Sequence, residues 1–202
     1  MGVARILNRI LVPAMIGAAA LSVTVPAQAS ALPHNAGMSN SYGGLGPLVD
    51  VVIQRLQVSD QVAAAKFGTG APIDDPVREQ QELDAVRQSA ITLGIDPDMA
   101  VRFFQQQIAA SKVVQRGLFD RWTKHPDQAP TTRPDLGEIR VELDQITTEL
   151  LQQLVAQRVL LSHSPNCQVA LVLAAVTGAV HNHLDGLHTR ALNVALSETC
   201  AA

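Results

Sequence analysis

From Pro97 to about Trp122, Phe104, Ile108, Leu118, Phe119 and Trp122 fall on one stripe, the spacing of a helix that buries one face. Two polar residues share that stripe. Ser111 and Gln115 are four apart, one helical turn, in the middle of an otherwise apolar face. A buried hydroxyl and a buried amide each need hydrogen-bond partners or cost roughly 1 to 3 kcal/mol. Either a neighbouring helix satisfies them or the stripe lines a polar cavity.

An earlier stretch poses the same question with charge. If residues 49–67 form one helix, Arg55 and Lys66 are 11 positions apart and point within roughly 20° of each other. Leu48, Val52 and Val62 lie on that face too, so two long cations stand in line with positions that should bury apolar surface. They either snorkel from the edge of the stripe to water or meet an anion.

The remaining punctuation is helical. The run F-G-T-G-A-P (67–72) breaks the first helix, and a second starts after Asp75 with Pro76 at its first position and ends near Leu93 before Gly94. Asp96-Pro97 opens the third by the same device. A Pro-rich loop spans His125 to Pro134, and Asp135 to about Ser162 reads as a long helix with Leu136, Leu143, Leu150, Leu151 and Leu154 on its apolar side and Arg140 beside them. Asn166 to Val180 and His183 to Thr199 complete the chain as two more helices. No strand pattern emerges and aromatic residues make up only 3% of the chain, so the predicted fold class is all-α.

The N-terminus reads as an export signal. Arg5 and Arg9 precede an apolar run from Ile10 to Val25, and Ala27-Gln28-Ala29 offers small residues for cleavage, after Ala29 or alternatively after Ala31. A run of about 16 with Pro13 inside it and Pro26 beside it is short for a membrane anchor. Loss of residues 1–29 takes two arginines and no acid, leaving 173 of 202 residues and moving the formal charge from −3 to −5. Residues 30–46 then form a flexible tail and 47–202 one helical domain, with no basic excess for nucleic acid. In an oxidising compartment Cys167 and Cys200, the only two cysteines, are expected to form a disulfide worth about 3 to 4 kcal/mol, the alternative being two buried thiols.

Two other motifs lead nowhere chemically. His181 and His183 are two apart and project about 200° apart on a helix, so with Asp185, His188 and His163 they read as solvated histidines and not a metal site. Gly68-Thr69-Gly70 lacks the preceding strand and the Lys-Ser/Thr of a phosphate loop.

The spaced set Arg55, Lys66, Asp75-x-x-Arg78-Glu79, Ser111 and Gln115 resembles the all-helical chorismate mutases. From Leu45 to Cys200 the chain is most similar to their secreted, monofunctional branch, and Arg140 occupies the place where that branch supplies a further arginine from the same chain. The resemblance implies a single-domain helical bundle with one disulfide, secreted or periplasmic, that isomerises chorismate to prephenate without metal or cofactor. It implies Arg55, Arg78 and Arg140 on the substrate carboxylates with Ser111 helping, and Lys66 and Gln115 on the ether oxygen. Glu82, or else Glu79, would meet the ring hydroxyl, unless Arg78 and Glu82 simply pair on a solvated face. Secreted relatives can carry a glutamate where this chain has Gln115. They also tend to form homodimers with each site inside one chain, and no membrane is involved after signal cleavage. A helical binding module that kept the fold without turnover is the alternative reading.

Overall fold

Asp75, Asp96, Asp135 and Asp185 each accept hydrogen bonds from backbone N–H groups two or three residues on, closing the open donors at the start of a helix. These caps set the register of a computed structural model that describes residues 44–162 and 164–200. Its helices are α1 (Gly46–Lys66), α2 (Pro76–Leu93), α3 (Pro97–Lys124), α4 (Leu136–Leu161), α5 (Ser164–His181) and α6 (Gly186–Ala195), with one 3-10 turn at Pro126–Gln128. No strand occurs among the described residues. The expected export signal, most of the expected tail, both cleavage positions and His163 lie outside them.

α1 is the axis of the packing. It contacts α3, α4, α5 and α6, and Leu48, Val49, Val52, Ile53, Leu56, Val58 and Val62 bury side chains on several of its faces. A helix packed on several faces shows little amphipathicity, which leaves the two cations as its clearest polar signal. α5 approaches it closely at Gly178, where a Cβ would come within 2.9 Å of Ile53 Cδ1. α3 packs against α1, α2 and α6, with Phe103 and Phe104 fully buried.

Two boundaries differ from expectation. Leu45, placed by the sequence in the flexible tail, is fully buried in the core. The last helix is shorter than 183–199, because His183 takes a positive φ of 50° and Asp185 caps a new start at Gly186. After Ala195 the chain leaves the helix in turns that bring Cys200 to Cys167, and these two are disulfide-bonded with a Cα–Cα distance of 5.8 Å.

Exposed apolar side chains concentrate on α5. Val169, Val172, Leu173, Val176 and Val180 follow helical spacing and are 54–71% exposed.

Candidate active site

All seven residues singled out from the sequence line one cavity of about 220 Å³ between α1, α2, α3 and α4: Arg55, Lys66, Arg78, Glu82, Ser111, Gln115 and Arg140. Val62, Ile108, Leu136, Ile139 and Leu143 supply its apolar wall. The half-buried Leu136 and Leu143, which the periodicity assigned to the core, therefore face this space.

The floor is buried and prearranged. Arg55 is 4% exposed, ion-pairs with Glu82, donates from Nη1 to Thr147 Oγ1 at 3.4 Å and lies 6.0 Å from the Phe104 ring centroid. Its Nε has no partner among the described residues. The two polar residues on the α3 stripe touch each other, with Gln115 Nε2 donating to Ser111 Oγ at 3.1 Å. Gln115 Oε1 is likewise buried without a partner among the described residues. Of the four buried side-chain polar atoms without a partner among the described residues, two, on Arg55 and Gln115, belong to residues of this cavity wall, and the other two, on Gln107 and Thr199, do not.

Lys66 ends α1 and reaches the carbonyl of Ile73 at 3.4 Å, across the loop that Gly68 and Gly70 turn with φ of 72° and 78°. Phe67 anchors that end of the helix by edge contacts to Phe119 and Trp122, at 5.3 and 5.2 Å between ring centroids. Burial pulls the Lys66 ammonium below the ordinary lysine range; Arg140 adds to this, while Asp75, Glu79 and Asp74 oppose it.

The mouth differs from the floor. Arg78 and Arg140 are exposed and make no ion pair among the described residues. Arg78 sits in the first turn of α2, where its N–H is capped by Asp75 at 3.1 Å while Glu79 Oε1 accepts from Asp75 N at 3.1 Å. Glu79 Oε2 accepts from Lys112 at 2.7 Å, and Lys112 also pairs with Asp74 at 3.2 Å. Burial acts to lower the Lys112 pKa, but these two carboxylates outweigh it and the pKa is raised. An Arg78/Glu82 surface pair does not form; Glu82 belongs to Arg55.

Sequence reasoning passed over Ser59, Thr147 and Lys112. Ser59 could have been found as the residue one turn after Arg55 on the same buried helix, and Lys112 by its place next to Ser111. Thr147 comes from 92 positions away, and no local pattern announces it.

His188 is a correction. The sequence pattern reads it as solvated, yet its side chain is 12% exposed and bonds Asp60 through Nε2 at 2.9 Å and Asp185 through Nδ1 at 2.7 Å. The Asp60 bond, reinforced by Asp185 against desolvation, pushes its pKa up to about 9. The ring is thus a doubly donating imidazolium that ties α6 to α1.

Residues 47–116 match the profile of chorismate mutase type II. That span holds six of the seven cavity residues and leaves Arg140, on α4, outside. A secreted chorismate mutase of Mycolicibacterium smegmatis is 38% identical over 156 residues, which is 77% of this chain and 86% of that protein. One of Mycobacterium tuberculosis is 36% identical over 158 residues, 78% of this chain and 79% of that protein. The crystal structure of chorismate mutase from Burkholderia phymatum matches with a TM-score of 0.74 at 33% identity, covering 78% of this chain and 96% of that one. With two relatives above 30% identity matched along most of their length, and a polar cavity at the residues the family likeness pointed to, this chain belongs to the chorismate mutase family.

Proposed function

We propose that this protein is a secreted or periplasmic enzyme that converts chorismate to prephenate, as the names of its relatives indicate. The observation that carries the reading is that five cations (Arg55, Lys66, Arg78, Lys112 and Arg140) and two neutral donors from four helices line one cavity. The reaction is an intramolecular rearrangement in which the ether C–O bond breaks as a C–C bond forms, so the protein needs to supply a compact conformer and donors for the charge growing on the ether oxygen. Arg55, Arg78 and Arg140 clamp the two carboxylates with planar guanidinium forks, helped by Ser111. Lys66 and Gln115 donate to the ether oxygen. Glu82 accepts from the ring hydroxyl: it lines the cavity on Arg55, whereas both Glu79 oxygens are already engaged by Lys112 and the Asp75 N–H.

The test is direct. Purified protein mixed with chorismate should remove its ultraviolet absorbance, and Lys66→Ala should lose about 100- to 1,000-fold in rate with helix content unchanged. A well-folded wild type without turnover would leave a binding module in place of an enzyme.

Export by the 1–29 peptide and homodimerisation belong to the same proposal. The α5 stripe is the surface we assign to a second copy. Residues 164–180 contain no Asp, Glu, Lys or Arg, so two such faces meet across a two-fold axis without repulsion. Residues 30–43 offer only Leu32, Met38 and Tyr42 as large apolar covers. No described helix is long and apolar enough to cross a membrane. Light scattering should give a dimer, and the double variant Val172→Asp/Val176→Asp a monomer that retains turnover; a monomeric wild type removes the pairing.

A further inference from the structure

Behind the cavity wall lies a hydroxyl that none of the roles above uses. Ser59 is 1% exposed and stands one turn after Arg55 on α1. Its Oγ lies 2.9 Å from Ser111 Oγ and 3.2 Å from the carbonyl oxygen of Arg55. A serine hydroxyl has one proton and two lone pairs, so the way Ser59 directs its proton decides what Ser111 can do. If Ser59 donates to the Arg55 carbonyl, its oxygen is open to the Ser111 proton, and Ser111 turns away from the cavity. If it donates along the shorter contact, Ser111 Oγ accepts from both Ser59 and Gln115 Nε2, the latter at 3.1 Å. Both lone pairs of Ser111 are then filled. The only capacity left to it is its proton, which it can direct into the cavity that Ser111 lines.

We propose that Ser59 is a positioning residue: by donating to Ser111 it makes Ser111 an obligate donor toward a substrate carboxylate. The same saturated oxygen holds one N–H of Gln115, leaving the second N–H of that amide for the ether oxygen. This rests on the roles given to Ser111 and Gln115 above. The polarity matters because a carboxylate only accepts, and a hydroxyl able to turn its lone pairs to the cavity would repel it. Linked hydrogen bonds that all point one way also strengthen one another in a buried setting.

The experiment is steady-state kinetics on Ser59→Ala and Ser59→Cys in the full chain, each with and without Ser111→Ala. Alanine removes the hydroxyl and favours the helix; cysteine nearly fills the volume but donates weakly. Both single variants should raise KM about three- to tenfold, the size of one lost hydrogen bond, with a smaller fall in kcat and unchanged helix content. In the Ser111→Ala background either change should add nothing further. The proposal is overturned if wild type turns over chorismate and both single variants match it, or if their effect persists in full without Ser111. It is overturned equally if Ser59→Cys is normal while Ser59→Ala is impaired, since volume and not the hydroxyl would then matter. Absence of turnover in wild type would instead strike at the enzymatic reading itself.

Discussion

The floor and the mouth of this one cavity are built from the same residue type used in two ways. Arg55, at the floor, is buried against Phe104 and committed to Glu82 and Thr147 before any ligand arrives. Arg78 and Arg140, at the mouth, are exposed and uncommitted among the described residues. A buried guanidinium is part of the fold's own accounting of polar groups, whereas an exposed one is free to serve only the ligand. If the proposed function holds, the clamp is half structure and half bait, with stability tied to one half alone.

Substitutions at the two levels should separate activity from stability. Arg55→Ala carries the largest expected effect: turnover falls at least about 100-fold, and the unpaired Glu82 carboxylate lowers unfolding stability by about 2 kcal/mol, read by denaturant melts. Arg78→Ala should cost about tenfold or more in kcat/KM while the melting midpoint stays where it was, since no ion pair is lost. Equal destabilisation by the two changes would erase the distinction between floor and mouth.

Acid–base behaviour sharpens the same contrast. Gln115 donates without titrating, so activity should hold level from about pH 5 to 8. In Gln115→Glu the side chain must be protonated to donate, and activity should climb as pH falls; an unaltered profile would remove Gln115 from the ether oxygen. On the alkaline side, burial lowers the Lys66 pKa, so donation is lost at a lower pH than an ordinary ammonium would allow.

The smallest expected effect lies away from the cavity. His188, with its pKa raised to about 9 by Asp60 and Asp185, contributes stability that is complete below about pH 6.5 and disappears as pH rises through 9. Unfolding stability should therefore decline by about 1 to 2 kcal/mol across that window. His188→Gln should flatten the decline and leave kcat at pH 7 unchanged, because the ring touches α1 and α6 and not the cavity lining.

The sequence by itself determined the starts of α2, α3 and α4, though not that of α6, whose cap at Asp185 it missed. Pro76, Pro97 and the aspartates before them act locally, through fixed φ and through side chains that accept from N–H groups two or three residues away, and no distant contact is needed to read them. It also placed Arg55 with Lys66 and Ser111 with Gln115 on common faces, because helical geometry fixes what is eleven or four residues apart. Where those faces point was a matter of packing. Only the tertiary structure decided that Glu82 would pair with Arg55 instead of Arg78, that Thr147 would reach Arg55 across 92 positions, and that His188 would be enclosed by two carboxylates. Each of these joins residues from different helices, and periodicity along one helix holds no information about which neighbour a side chain meets once α1 is surrounded.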